Sequence, residues 1–219
     1  VNPELNSKAK DPNWKYEKLG VGDIVNRDYD SHITQQGIFA QIEYNKDKKF
    51  STFLSGTLSN SRYWRYDRFY YDAEHAESDK VDFLSGSIKS GANYNIDRNH
   101  NVFINVGYVS RAPIFSGGVF LMSQSSNVIN KNAVNEKTIS AEIGYGYHNS
   151  WLTANINAYY TLWKDKTTSK SGYTSDNSDL YTMSLTGVDA RHTGIEIDMT
   201  AKPTSWITLK GMISLGNWK

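Results

Sequence analysis

The stretch SRYWRYDRFYYD, residues 61–72, concentrates side chains suited to holding a ligand. Tyr63, Trp64, Tyr66, Phe69, Tyr70 and Tyr71 offer ring faces, and Arg65 and Arg68 offer planar donors. Rings stack on sugars and flat chelates, while a guanidinium grips a carboxylate through two parallel hydrogen bonds. The competing reading is an extended strand whose rings pack on neighbouring loops. Tyr63 and Arg65 alternate with Trp64 and Tyr66, so only one face of such a strand meets a binding space. With Arg111, which precedes Pro113 at a strand-to-loop junction, the candidate ligand contacts are Tyr63, Trp64, Arg65, Tyr66, Arg68, Phe69 and Arg111.

The remaining chemistry-bearing residues point to less. His75 lies beside Glu74, but no second His is near it in sequence, and no metal site is expected. Asp189, Arg191, His192 and Ser184 contain the residue types of a hydrolase, yet such a set is recognised by geometry and no motif supports it. No catalytic residue, cofactor site or metal is expected. Ser116-Gly117-Gly118 permits unusual backbone angles and reads first as a turn. Lys46, Lys48 and Lys49 read as the tip of a solvated turn.

What must position these residues is a set of strands. Eight segments alternate apolar and polar residues with period two. Residues 34–45 set Ile38, Ala40, Ile42 and Tyr44 against Phe39, Gln41 and Glu43; residues 50–60 set Leu54, Gly56 and Leu58 against Ser55, Thr57 and Ser59. Segments 83–96 and 101–110 repeat the pattern. The hairpin GYGYHNSWLTANINAYY, 144–160, sets Ile143, Tyr145, Ile156 and Ala158 against Glu142, Asn155 and Asn157. Segments around 193–201 and over 206–217 complete the set. Four connections are short and polar, at 46–49, 97–100, 148–150 and 202–205. They alternate with long ones at roughly 61–82, 111–137 and 164–193. Phe50, Trp151 and Trp206 follow short turns, and Tyr108, Tyr160 and Trp163 lie toward the long loops, which reads as two interfacial girdles.

Composition narrows the class. The chain has 219 residues, no cysteine, 15 Tyr and 16 Gly, and a formal net charge of +1. Neither a disulfide nor a Cys-ligated metal site is available, and the charge balance gives no nucleic-acid footprint. Mean hydropathy is −0.59, and no run of about 18 apolar residues offers a transmembrane helix. Alternating segments of about 9–11 residues match a tilted membrane crossing, whereas ordinary strands average about 5–6. The expected fold is all-β: an antiparallel up-and-down transmembrane β-barrel segment, about eight strands of a larger barrel with alternating short turns and long loops.

Three stretches carry a family resemblance. GYVSRAPIFSGGVF (107–120) resembles a strand-to-loop segment of TonB-dependent outer-membrane receptors. VNEKTISAEIGYGYHNSWLTANINAYYTLWKDK (134–166) is similar to the hairpin that follows in that family, and TGIEIDMTAKPTSWITLKGMISL (193–215) to a further strand pair. They stand in family order and spacing, in a style similar to receptors of Bacteroidetes. The resemblance implies a Gram-negative outer-membrane location, contact with outer-membrane lipid, and a barrel of about 22 strands around a plug. It also implies coupling to TonB through a plug domain outside this chain, and capture of a siderophore, cobalamin, glycan or peptide by external loops, with Arg111 facing the lumen or the plug in a salt bridge, a structural role ahead of ligand contact. The opening VNPELNSKAKDPNWKYEKLG has neither a basic n-region nor an apolar core, so no signal peptide is expected there. The close at Trp218-Lys219 falls mid-strand. Residues 1–219 are therefore expected to be a partial β-barrel domain. The alternative is a soluble or surface all-β module that binds glycan or protein; a barrel hydrolase is the weakest reading.

Overall fold

Alternation over eight segments dictates strands, and among the residues it describes a computed structural model has eight. It describes residues 21, 28–121, 127–173, 175 and 180–219. The opening stretch at residues 1–20 and the side chain of Ser184 lie outside the described residues. The strands are β1 (Tyr29–Lys46), β2 (Phe50–Asp67), β3 (Val81–Asn95), β4 (His100–Arg111), β5 (Glu136–His148), β6 (Leu152–Tyr173), β7 (Leu180–Thr204) and β8 (Ile207–Trp218). They form one sheet in sequence order, every neighbour antiparallel. β1 and β8 are its two edges and do not pair with each other.

Register turns the alternation into two continuous faces. Ile104 lies opposite Ile143, Ile143 opposite Ala158, Ala158 opposite Ile195, and Ile195 opposite Leu215. This row crosses five strands and is open: Ile143 is 60% exposed and Leu215 71%. An apolar face this wide left uncovered marks a surface that meets something apolar. The other face is polar and self-bonded. Glu142 accepts from Asn157 Nδ2 at 2.9 Å, and Asn155 Nδ2 donates to Asp198 Oδ1 at 3.1 Å. Ile143, Tyr145, Ile156 and Ala158 thus share one face, and Glu142, Asn155 and Asn157 share the other, as the alternation requires.

One end of the sheet carries tight turns. Asp47 and Lys48 both take positive φ, 53° and 55°, and Lys49 N donates to the Lys46 carbonyl at 2.9 Å. Asp97 Oδ1 accepts from the backbone N–H groups of Asn99 and His100 at 2.7 and 2.9 Å. Asn149 Oδ1 does the same for Trp151 and Leu152 at 2.9 and 2.7 Å. These side chains mimic a backbone turn.

Four sequence expectations are corrected. β2 continues to Asp67, so the first long connection begins at residue 68. The link expected over 164–193 is mostly a tall hairpin: β6 and β7 stay paired up to Tyr173 and Leu180. Its register shifts between Trp163 and Lys166 and again before Thr168, with Asp165 at φ 57°, and this bulge erases the period-two signal. Trp163 follows Leu162 and so lies on the polar face, not in an aromatic band on the apolar one. β7 also runs to Thr204, which moves Trp206 from the eighth strand into the turn.

Candidate functional site

At the loop end, the connection between β4 and β5 folds back over the polar face. Val119 and Phe120 are fully buried against Tyr63, with Phe83, Phe115 and Ile129 packed around them. Tyr63 meets Phe83 edge-on at 5.8 Å and Phe115 at 6.1 Å. Gly117 supplies the turn with φ 85°. At Gly118 the backbone passes so close to Ile114 that a Cβ would lie 2.3 Å from its carbonyl oxygen, which only glycine tolerates.

Arg65 fastens this loop. Its side chain is 5% exposed and lies over the Tyr29 ring at 4.9 Å and the Phe120 ring at 5.5 Å. Nε donates to Asn127 Oδ1 at 2.9 Å. The buried Asp67 carboxylate is 3.6 Å away and accepts from the Phe69 and Tyr70 N–H groups, each at 2.9 Å. The guanidinium is therefore desolvated but surrounded by ring faces and acceptors, the condition under which a buried charge is tolerated.

The seven candidate contacts do not converge on one space. Tyr63 and Arg65 lie beneath the folded loop, and Phe69 is buried beside Tyr70 at 4.8 Å. Trp64 and Tyr66 point to the opposite side, where Trp64 stacks on His32 at 4.9 Å with 5° between planes. Arg68 binds Asp30 at 2.6 Å and Asp28 at 2.7 Å; these two carboxylates hold its ionisation far above the ordinary guanidinium range. Arg111 projects from the end of β4 with its side chain 68% exposed and pairs with Glu136, directly opposite it on β5. Glu136 also accepts from the Thr167 N–H at 3.1 Å, which ties β6 into the same corner.

Arg111 lines a cavity of about 500 Å³ on the polar face, between the folded loop and strands β2 to β4. Its walls carry the hydroxyls of Thr57, Ser59, Ser61, Ser85 and Ser87, and Lys89 contributes a second cation. Ser85 is 8% exposed, and its Oγ is buried with no hydrogen-bond partner. Such a group is normally satisfied. In the sequence the hydroxyl ladder does not stand out as a site, because serine alternating along a strand reads only as a polar face; it forms because two such stretches, 55–61 and 85–87, are neighbours in register.

A second feature needed register to be seen. Trp163 on β6, His192 on β7 and Trp218 on β8 stand in a row on the polar face, with ring centroids 5.6 and 5.8 Å apart and planes 12° and 24° from parallel. Lys166 Nζ lies 4.5 Å from the Trp163 ring centroid, and Trp218 Nε1 donates to Tyr159 Oη at 3.2 Å. Of the hydrolase set, His192 is thus held between two indoles, and Asp189 accepts from the Asp165 N–H at 3.2 Å. Among the described residues no group of three or more His, Asp or Glu is placed to hold a metal ion. His75 Nδ1 instead pairs with Asp72 at 2.6 Å.

Comparison with known proteins gives the sheet its place. A family model described as TonB dependent receptor-like, beta-barrel, matches residues 6–218. No curated protein matches the chain. Among solved structures it is similar to the copper transporter OprC, at 15% identity and a TM-score of 0.69, over 87% of this chain and 30% of that one. It is also similar to the alcaligin outer membrane receptor FauA from Bordetella pertussis, at 10% identity and a TM-score of 0.60, over 87% of this chain and 31% of that one. A third similar structure is the FrpB iron transporter from Neisseria meningitidis, at 16% identity and a TM-score of 0.58, over 86% and 26%. The chain thus spans less than a third of the length of these three proteins. The uncovered apolar face, the up-and-down order and the turn-and-loop asymmetry meet in one assignment: the chain belongs to the TonB-dependent receptors of the Gram-negative outer membrane, as a run of strands from their β-barrel.

Proposed function

We propose that this chain, as a partial barrel domain, serves a receptor that takes up a scarce or bulky ligand in a TonB-dependent, energy-coupled step. The apolar face meets lipid and the polar face lines the lumen. The folded β4–β5 connection and the cavity beneath it receive the ligand, and a plug domain coupled to TonB gates its passage. The carrying observation is the cavity itself, in which the Arg111 and Lys89 cations, a hydroxyl ladder and the unpartnered Ser85 Oγ face one space. Cations beside hydroxyls favour an oxygen-rich anionic ligand. Among siderophore, cobalamin, glycan and peptide, a ferric siderophore fits that chemistry best, in line with the iron, copper and alcaligin named in similar structures. Within the candidate set, Arg111 is the direct contact; Tyr63 and Arg65 hold the loop that roofs the cavity, while Phe69 packs beside Tyr70, and Trp64, Tyr66 and Arg68 lie outside the cavity.

The test is uptake and binding by the intact receptor, with ferric siderophores of carboxylate, hydroxamate and catecholate type set against cobalamin and a neutral oligosaccharide. Arg111→Ala should weaken binding of an anionic chelate by about tenfold or more, since a charge-assisted contact is worth about 1.5–3 kcal/mol. It should leave barrel assembly intact. Unchanged binding in Arg111→Ala and Lys89→Ala together, with ligand still taken up, would move the site out of this cavity.

A further inference from the structure

The apolar face is not uniform. It holds a shallow groove of about 530 Å³ whose lining includes Ala92 and Ala158 together with Val102, Ile104, Ile143 and Ile195. Phe50 and Tyr94, paired across β2 and β3, wall one side, and Tyr145 and Ile156, paired across β5 and β6, wall the other. The groove exists because the small side chains Ala92 and Ala158 sit between bulky neighbours on a pleated surface. Its size is that of an ordinary small-molecule site.

At the periplasmic end the groove runs out into the tight turns. On the apolar face Ile96 and His100 stand beyond Tyr94 and Val102, and Lys49 of the β1–β2 turn precedes Phe50. There the β1–β2 and β3–β4 turns enclose a second cavity of about 560 Å³ whose charged lining is Lys48, Lys49 and Arg98 against Asp47 and Asp97, with His100 beside them. Lys49 Nζ lies 5.8 Å from the Tyr94 ring centroid, which draws the ammonium toward the outward side. Among the described residues none of Lys48, Lys49 and Arg98 has a carboxylate partner. Asp97 turns its carboxylate into its own turn, accepting from two backbone N–H groups. Above the cations, His100 Nδ1 is hydrogen-bonded to Tyr145 Oη and its ring packs on Tyr147 at 5.0 Å, at the depth where amphipathic rings occupy a membrane interface.

We propose that this acyl-sized groove and the cationic cradle below it form one binding site for an anionic diacyl phospholipid of the periplasmic leaflet, of the phosphatidylglycerol type. One acyl chain lies over Ala92 and Ala158 between the Phe50–Tyr94 and Tyr145–Ile156 walls. The phosphate meets Lys48, Lys49 and Arg98, and the His100–Tyr145 pair faces the ester region. Charge complementarity selects the occupant: basic side chains at a membrane surface favour anionic headgroups over zwitterionic ones. The site lies at the far end of the sheet from the ligand cavity, and it stands or falls independently of what the receptor transports.

The experiment is native mass spectrometry of the intact, delipidated barrel protein titrated with phosphatidylglycerol and phosphatidylethanolamine of identical acyl chains. Phosphatidylglycerol should be retained more strongly, by about tenfold at low salt, and that preference should vanish in Lys49→Gln/Arg98→Gln. Ala92→Leu, which fills the groove, should reduce retention of the long-chain lipid. If Ala92→Leu fails to assemble, dihexanoyl phosphatidylglycerol replaces it: a short-chain lipid should bind far more weakly than the long-chain one. Equal retention of the two headgroups, or a preference that survives Lys49→Gln/Arg98→Gln, would reduce the contact to ordinary boundary lipid. Equal binding of short and long chains would overturn the acyl groove.

Discussion

Ile156→Arg tests the direction of the sheet. Ile156 lies on the apolar face of β6, four residues beyond Leu152 at the tight-turn end. At about 3.4 Å per residue and a tilt of about 45°, that is about 10 Å into a band about 25 Å tall. The side chain therefore sits near the bilayer midplane, where an arginine costs about 2–4 kcal/mol. Since each 1.4 kcal/mol is about tenfold, the folded population should fall by about 30-fold to 700-fold relative to the unfolded one. Leu162 is ten residues from Leu152 on the same face and pairs with Arg191 of β7, so a charge is already accommodated at that depth. Leu162→Arg should therefore cost only about 0–1 kcal/mol, the value near an interface. Asn155, next to Ile156 in sequence, faces the lumen beside Asp198; Asn155→Lys should stay within about 0.5 kcal/mol. The assay is urea titration of the intact barrel in lipid vesicles, read by tryptophan fluorescence and by the heat-modifiable gel shift of folded barrels. The depth dependence is what discriminates. A sheet whose apolar face was covered by protein would penalise Ile156→Arg and Leu162→Arg alike. Equal costs at the two depths, or a cost at Asn155 as large as at Ile156, would refute the lipid-facing assignment.

Two further outcomes follow from the loop end. Arg65→Ala removes the guanidinium between Tyr29, Phe120 and Asn127 and leaves the buried Asp67 carboxylate without its cation; breaking a buried pair in this way costs about 3–5 kcal/mol. The cost should appear locally, as faster tryptic cleavage at Lys131 in the β4–β5 connection, with the heat-modifiable barrel unchanged. The exposed Asp72 carboxyl is held below the ordinary carboxylate value of 3.8, first by the His75 side-chain hydrogen bond and then by the His75 backbone N–H. A depressed folded-state value means that its contribution is complete above that ordinary range and is lost as pH falls through the lowered one. Protease sensitivity of the β2–β3 connection should therefore be flat from neutral pH down to the carboxylate range and rise below it, while Asp72→Asn should be sensitive throughout.

The parts of this fold that the sequence makes legible are those that lipid has imprinted. Between the two interfaces a strand must be apolar on one side and can be polar on the other, so Ile143, Tyr145, Ile156 and Ala158 could be assigned a face before any register was known. Above the band that constraint ends, although the hydrogen-bonded ladder does not. β2 carries Asn60, Arg62 and Trp64 on the continuation of its lipid-facing side, with Arg62 paired to Asp82 of β3 at 3.0 Å. The stretch from Lys164 to Tyr173 is polar on both sides and is interrupted by a bulge at Asp165. These segments are strands by backbone pairing alone, and they read as loops because nothing there demands alternation. The same reasoning explains what could be read of the site. Residue type located the rings and guanidiniums at the loop end, and alternation separated Tyr63 and Arg65 from Trp64 and Tyr66. Whether Arg65 faces a ligand or a loop depends on Tyr29 and Asn127, which lie 36 and 62 residues away along the chain and have no pattern linking them to it. The Trp163–His192–Trp218 row likewise exists only once three strands are in register. A receptor's selectivity therefore rests on contacts set by register and loop packing, while its membership in the outer membrane is written in the period-two pattern; the two can diverge independently, since lumenal and loop residues can change without disturbing the lipid-facing face.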